Sequence, residues 1–452
     1  MSGSKQQQCF RDVLIRGGNA VDAAIATAIC TGALHPHATG FGGGMVMLVH
    51  DRRKNETTVI SAYPAAPRSA TEETYLLNPA LAKIGYSSIS TPGFLHGIWT
   101  AFKRYGSGRI AWQDLLIPTV ILLERGTPAS RYMVEAIQSR KNEMVSEKSM
   151  STTYNVTMSE GEIFRDPIHA GFLRRLAIAR DPVELFYRGE ISNQIVHEMK
   201  QRGGLLTKTD LASYSTQIEA PLEIALTGGF VLKGPQAPSA FSALATVVQI
   251  IMSRFSGRSD LSMDTTFARD LIMAQRLALT RLEQIGDPEF TLSDSVLSVL
   301  QDSLEDLNDT DTSTAEAKSM PWNQSGFVWN NDLSAFTLRD KESSEDVDVN
   351  AIEGRKRART LMSPMMLFDQ HGALITSVGV TGSLNSLMAA AQVLVNQMLF
   401  NKNVVSELWE EFSMSPQLYH DSRVHGLSLL NNGFAESACD FRDGSELCSE
   451  GF

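Results

Sequence analysis

Cysteine is scarce: four in 452 residues, at Cys9, Cys30, Cys439 and Cys448. No two form a CxxC and no His/Cys cluster has zinc spacing, which excludes a disulfide scaffold and a structural zinc site. Cys439 and Cys448 could close a small loop in the tail, or be two unrelated thiols. Long apolar runs are missing as well. No window reaches about 18 consecutive apolar residues, so no membrane-spanning helix is expected. The opening MSGSKQQQ is polar and carries no signal-peptide core. Basic residues are outnumbered, with 40 Lys and Arg against 51 Asp and Glu, giving a net charge of −11 and a pI near 5.4. Such a surface repels phosphate backbones, and no nucleic-acid partner is expected.

What is present is ordinary globular usage: 43% hydrophobic and 20% charged residues, with 33 Gly and 16 Pro. At about 150 residues per domain, the length fits two or three domains, or one large domain with a bipartite core. Four N-x-S/T sequons, at Asn55, Asn155, Asn308 and Asn323, suit a secreted or luminal chain and also arise by chance in a chain this long.

An Ala- and Leu-rich stretch without a breaker predicts a buried helix over Ala20–Leu34. HATGFGGG (37–44) follows, then the apolar runs MVMLVHD (45–51) and TTVISAY (57–63), whose polar connection DRRKNE predicts a hairpin. Helices are expected around 99–105, 112–124, 239–253, 265–285 and 382–395, with Thr207 and Asp210 suiting another helix start. LEIALTGGFVLKGP (222–235) reads as a hairpin, 326–329 and 335–338 as short strands, and 365–368 with 373–378 as a second hairpin. Residues 305–324 are polar, acidic and without apolar period, and predict an exposed linker. Residues 340–359 read as a charged loop, and the tail from Ser413 as polar and irregular. Strand pairs and buried helices interleave on both sides of the linker. That pattern predicts a layered α/β (α+β) architecture rather than two independent domains.

The glycines of GFGGG are the first candidate for chemistry. A phosphate loop runs strand, glycines, helix, so that amides and helix dipole face the anion. Here the order is helix, glycines, strand. The reading is therefore a tight turn with close backbone approach: Gly42 and Gly43 are expected to pack on the 20–34 helix and the strand from Met45, with no nucleotide.

GGNAVDAAIATAICTGALHPHATGFGGGMVMLVHD, from Gly17, resembles the opening of the γ-glutamyltransferase (glutathione hydrolase) family, which reads GGNAVDAA…PHSSGIGGG. The resemblance continues in order through TPGFLHG (91–97), FYRGEISNQIVHEMKQRGGLLTKTDLASY (186–214), GPQAPSA (234–240), IGDP (285–288), SGFVWNNDLSAF (325–336) and MSP (362–364). It covers roughly residues 10–410 and lacks one internal block. EETY (72–75) and QVLVNQMLFNKNVVSEL (392–408) are most similar to the glutathione hydrolase 7-like branch, whose members have altered active sites and one N-terminal anchoring helix.

The resemblance implies an αββα sandwich of the N-terminal nucleophile hydrolase type. Such a chain cleaves itself to free a threonine, whose hydroxyl attacks a γ-glutamyl carbonyl with its own amine as base. It implies a large-subunit-like region (10–304), the linker (305–324) where the catalytic block would stand, a small-subunit-like region (325–412) and a tail (413–452). The implied ligand is glutathione or another γ-glutamyl compound, with no cofactor and no metal; the implied location is membrane-bound and extracellular-facing, although neither signal nor anchor is seen.

Position by position, the chemistry is depleted. No threonine-led strand stands about thirty residues before SGFVWNND, so no catalytic nucleophile is assigned and the central sheet is expected to be incomplete. Thr310, Thr312, Ser313 and Thr314 are the nearest hydroxyls, in a polar segment. Tyr63 replaces the carboxylate-binding arginine of R-E-x-A-P, and a phenol cannot form a charged bidentate clamp. In N-N-E-M-D-D-F, Asp332 keeps one charge and Ala335 replaces the acid that pairs with the substrate amine. The serine pair becomes Thr360 and Leu361; the oxyanion glycine pair becomes Gly382 and Ser383, where a backbone amide can still donate. Asp332, Thr360, Gly382 and Ser383 are thus candidate vestigial binding residues, and Tyr63, Ala335 and Leu361 are degenerate positions. Three functions follow: a catalytically inactive family member, a glutathione hydrolase active in a full-length form, or an acidic interaction protein working through 305–314 and 341–348.

Overall fold

The computed structural model describes residues 11–258, 264–291, 326–338, 348–382, 384–400, 423–429 and 435–438. Helix α1 is Ala20–Leu34, opened by an Asn19/Asp22 capping box. Strands β1 (Met45–Asp51) and β2 (Glu56–Ala62) form the expected hairpin, in register from Met45↔Ala62 to Asp51↔Glu56. Helices α2 (Phe94–Tyr105), α3 (Trp112–Arg125) and α4 (Pro167–Ile178) follow. Next come β3 (Gln217–Glu219), β4 (Leu222–Ala225), β5 (Val231–Gly234), α5 (Phe241–Phe255) and α6 (Thr265–Leu282). The last elements are β6 (Met365–Phe368), β7 (Leu374–Thr381), α7 (Leu384–Phe400), β8 (Arg423–Leu429) and β9 (Ala435–Ala438).

Two antiparallel sheets result. The smaller has the order β1-β2-β3 and the larger β9-β8-β7-β6-β5-β4. Alternation along β1 decides the layering. Met45, Met47 and Val49 enter a core made with α1–α4. His50 faces the opposite way and meets Phe368 of β6 edge-on, with ring centroids 4.9 Å apart, which brings the sheets face to face. The larger sheet carries α5 and α7 on its far side, with α6 behind α5, around a second core. The order is helix, sheet, sheet, helix. In the small sheet β2 is paired on both sides, and the outer edge of β1 carries no ladder among the described residues.

Several expectations change. Residues 326–329 and 335–338 are not strands. Among the described residues they make isolated parallel bridges, Gly42↔Trp329 and Thr337↔Ala351, around a 3-10 turn at Asp332–Ala335. The tail is not irregular throughout: β8 and β9 extend the large sheet, with β8 in register against β7 from Arg423↔Thr381 to Ser428↔Thr376. Nor is 340–359 simply a charged loop. Its described part, 348–359, is pinned inside, with Asn350, Ile352, Lys356, Arg357 and Ala358 buried. Polarity misled there, because internal partners satisfy these groups: Asn350 Nδ2 donates to Ala335 O at 2.8 Å, and Arg359 Nη1 to Leu282 O at 2.8 Å. Helix α7 runs on to Phe400, past the expected 395. The linker, the hydroxyls at 310–314, Ser383, Cys9, Cys439 and Cys448 lie outside the described residues; Cys30 is buried in α1.

Candidate active site

The glycine turn places the first wall, with a correction to its expected packing. It is Gly40 that lies against α1: a Cβ on Gly32 would stand 3.0 Å from Gly40 Cα. Gly42 instead packs on the 326–332 segment, where a Cβ would overlap the Val328 carbonyl oxygen. A Cβ on Gly43 would meet Gly40 O at an ordinary contact distance of 3.6 Å, and the Gly43 carbonyl accepts from the Gly93 and Phe94 amides at 2.9 and 3.0 Å. The turn is therefore a seam between the N-terminal and late segments of the chain.

Asn330 closes that seam. Its Nδ2 donates to Gly42 O (2.6 Å) and Ser90 O (2.8 Å), while Oδ1 accepts from the amides of Ser90 (2.8 Å) and Asp332 (3.1 Å). A buried amide with both functions paired is a rigid clamp. It sets the backbone of Asp332, whose Oδ2 is shielded from solvent and has no hydrogen-bond partner. Burial alone pushes that carboxyl up to about 7. Trp329 Nε1 is likewise buried and unpartnered.

Tyr63 forms the second wall. It is 2% exposed, and its hydroxyl is buried without a partner in hydrogen-bond geometry, beside the hydroxyls of Ser61 and Ser239. Burial raises its pKa. Tyr214 donates its hydroxyl to the Tyr63 carbonyl at 2.7 Å. Ser61 Oγ donates to Glu219 at 3.0 Å, and burial raises the Glu219 pKa. An open groove of about 410 Å³ reaches Glu219 from the surface, lined also by Arg104, Tyr105, Pro221 and Lys233.

The 348–363 strap supplies the third wall. Arg355 N donates to Ala66 O and Ala66 N to Lys356 O, both at 2.9 Å, tying the strap three residues beyond Tyr63. Further on, Thr360 N donates to Pro238 O (2.9 Å) and Ala240 N to Thr360 O (2.8 Å). Ser239 Oγ donates to Met362 O at 2.8 Å and lies 3.2 Å from Ser363 Oγ. Between these anchors, Arg357 donates its amide to Asp287 at 2.8 Å.

Of the candidate residues, the structure thus gathers Tyr63, Asp332 and Thr360 around Tyr214, Ser239 and Arg357. Leu361 is half-buried against the second core, Ala335 is exposed, and Gly382 is exposed at the end of β7 with φ 124°. Asn330, Tyr214, Asp287 and Arg357 were not singled out from sequence. Asn330 and Asp287 stood in the SGFVWNND and IGDP motifs, which marked where to look without assigning their partners. Arg357 was hidden in a run of basic residues.

Stacked layers of helix, sheet, sheet and helix, with a polar site at the sheet ends, define an N-terminal nucleophile hydrolase fold. The cephalosporin acylase from Bacillus halodurans superposes with a TM-score of 0.79 at 19% identity, over 99% of this chain and 93% of that one. Helicobacter pylori gamma-glutamyltranspeptidase superposes with a TM-score of 0.60 at 23% identity, over 67% and 90%. The chain matches the gamma-glutamyltranspeptidase family over residues 7–323 and 312–436, and belongs to it. Glutathione hydrolase 2 of Arabidopsis thaliana is 26% identical over 90% of this chain and 78% of its own length. Human glutathione hydrolase 7 is 25% identical over 95% and 70%. Among the described residues no three His, Cys, Asp or Glu side chains are grouped to hold a metal, and no helix is long and apolar enough to cross a membrane.

Proposed function

We propose that this chain binds γ-glutamyl compounds without turning them over: a pseudoenzyme on the scaffold of its family. The observation that carries the binding half is the unpartnered, buried carboxylate oxygen of Asp332, held in place by Asn330 three residues before Ala335, where the resemblance puts the amine-pairing acid that this chain lacks. An ammonium group donating to that oxygen would satisfy it and return the carboxyl to its charged form.

The catalytic half rests on sequence. Covalent catalysis requires nucleophile, base and charge stabilisation together, and their contributions are not additive. No threonine-led strand precedes SGFVWNND, and the two family-matched ranges meet at 312–323, where that block would lie. The same junction supports a second reading, in which a longer product with the block restored is an active glutathione hydrolase. Purified chain is expected to run as a single unprocessed band of 49.5 kDa and to release no glutamate from glutathione above a heat-killed control. Steady turnover abolished by a γ-glutamyl affinity label would overturn the inactive reading. Asn55 and Asn155 are exposed sequon positions, which supports a glycosylated, extracellular-facing chain. A glycosidase-induced mobility shift of chain expressed through the secretory route tests that.

A further inference from the structure

We infer that the groove beside Glu219 is a docking slot for an extended peptide carrying a lysine or arginine, which adds to the uncovered end of β2 as a short strand. The inference does not rest on the γ-glutamyl-binding reading.

Strand β2 is covered unequally on its two sides. β1 pairs with the whole of Glu56–Ala62, whereas β3 pairs only with Val59, Ile60 and Ser61. Alternate residues of a strand turn their amide and carbonyl groups to opposite sides. Along Glu56–Thr58, about 10 Å of strand, the groups directed away from β1 therefore meet no ladder among the described residues. The cause lies just beyond β3. Continuing the register would set Ala220 opposite Thr58 and Pro221 opposite Thr57. Proline has no amide hydrogen to give a ladder, and the Ala220 carbonyl accepts instead from Gln236 Nε2 at 3.0 Å. The chain then crosses to the large sheet, where Leu222 pairs with Gly234 of β5. The gap left behind is the groove of about 410 Å³, lined by residues 55–58 of one broken edge and 218–221 of the other.

Charge selects the partner. Of the carboxylates that line the groove, Glu223 is paired with Lys233 at 2.7 Å. The Lys233 ammonium also lies 5.0 Å from the centre of the Phe368 ring, so it is held at both ends. Glu219 gives one oxygen to the Ser61 hydroxyl, and no cation is ion-paired with Glu219 or Glu56 among the described residues. Ile218, Ala220 and Pro221 line the same space and offer apolar contact to a lysine or arginine stem. The α2 wall differs: Arg104 is exposed there, without an ion pair among the described residues. A basic side chain is thus drawn to the sheet side of the groove and repelled from the helix side. An extended basic peptide meets the backbone of β2 and the carboxylates together; a free amine meets only the second, and an uncharged peptide only the first.

The test uses the full chain, produced unglycosylated because Asn55 lines the groove. The probe is a capped pentapeptide, Thr-Val-Lys-Val-Thr, compared with the same peptide carrying glutamate for lysine and with one N-methylated at both valines, binding being followed calorimetrically. Wild type is expected to favour the lysine peptide over the glutamate one by about tenfold or more, and to lose most of its affinity on N-methylation. Glu219→Gln, which can still accept from Ser61, is expected to reduce the lysine preference at least about threefold, and Arg104→Ala to increase it. Arg104 is exposed, so its variant decides the matter should the glutamine variant fail to fold. Equal binding of all three peptides, no binding at millimolar concentration, or an unchanged preference in the folded variants overturns the inference. So does displacement of the peptide by propylamine at equal concentration, since that would make the slot an amine site and not a strand site.

Discussion

At the scale of single residues, Asp332 shows how a side chain can keep its charge in sequence and lose it in structure. In the unfolded chain its carboxyl ionises near the ordinary 3.8; in the folded chain burial holds it to about 7. Raising the pH through that window ionises the unfolded chain first, so the fold loses stability between about pH 4 and 7. Asp332→Asn is expected to be more stable than wild type at pH 8, by roughly 1–3 kcal/mol, and equal to it at pH 3.5. Urea unfolding at the two pH values measures this, and equal midpoints at pH 8 would refute it. The motif SGFVWNND made the position of Asp332 legible. Its state was not, because desolvation depends on what Asn330, Gly42 and Ser90 bring around it. Arg357 was illegible for the converse reason: in GRKRAR all the cations look alike, and only the pairing of the strap with Ala66 and Pro238 turns Lys356 and Arg357 inward while Arg355 stays exposed.

At the scale of elements, helices and hairpins were well marked. Ala20–Leu34 has its breaker-free apolar run and the 45–62 hairpin its polar turn, since those signals are local. What local signals could not give was the partner of each element. The glycine turn carries the same chemistry at Gly42 and Gly43, yet only Gly42 is pressed on another backbone. Gly42→Ala is expected to cost about 1–3 kcal/mol by overpacking on Val328. Gly43→Ala, whose Cβ would have Gly40 O at 3.6 Å, should change stability by less than about 0.5 kcal/mol. Parallel chemical denaturation of the two variants reads the difference, and equal losses would contradict this packing.

Helix α4 carries a second pH-sensitive element. His169 is buried beside Phe41 and Phe172, with Nε2 unpartnered, and burial lowers its pKa to about 4. As pH falls from about 6.5 to 4 the unfolded imidazole takes up a proton and the folded one does not, so stability drops. Asp166, the N-cap of the same helix, is pushed up to about 6 and works in the opposite sense, gaining its proton in the fold first. His169→Leu leaves only the second effect. Its melting temperature relative to wild type is expected to rise on going from pH 7 to pH 4.5, and a parallel shift of both proteins would count against the assignment.

Over the whole molecule, the large sheet is extended by two strands from the tail, a segment whose sequence reads as polar and irregular. β8 (RVHGLSL) and β9 (AESA) mix polar and apolar residues far along the chain, and a strand recruited to a sheet edge needs little apolar pattern of its own. Thr376 Oγ1 donates to Leu427 O at 2.8 Å and lies 3.0 Å from Ser428 Oγ, so the β7–β8 join is polar as well as backbone-paired. Truncation after residue 412 should strip the edge of β7, lower the melting temperature and increase self-association. Size-exclusion chromatography with thermal scanning would show it, and an unchanged monomer profile would mean that these strands add nothing to the fold.

The Asn330 clamp also sets an order of events. It joins residues 288 and 240 positions apart, Gly42 and Ser90, so the seam beside the glycine turn cannot close until nearly three-quarters of the chain has been synthesised. Long-range closure of this kind slows folding, because the loop entropy is lost before the contact is gained. During translation the 20–62 segment would form its helix and hairpin early and then wait with Gly42 O, Ser90 N and Ser90 O unsatisfied and the outer edge of β1 open. The vulnerable interval in the life of this protein is therefore the time on the ribosome between residue 90 and residue 330, when a chaperone, rather than Asn330, has to cover that seam.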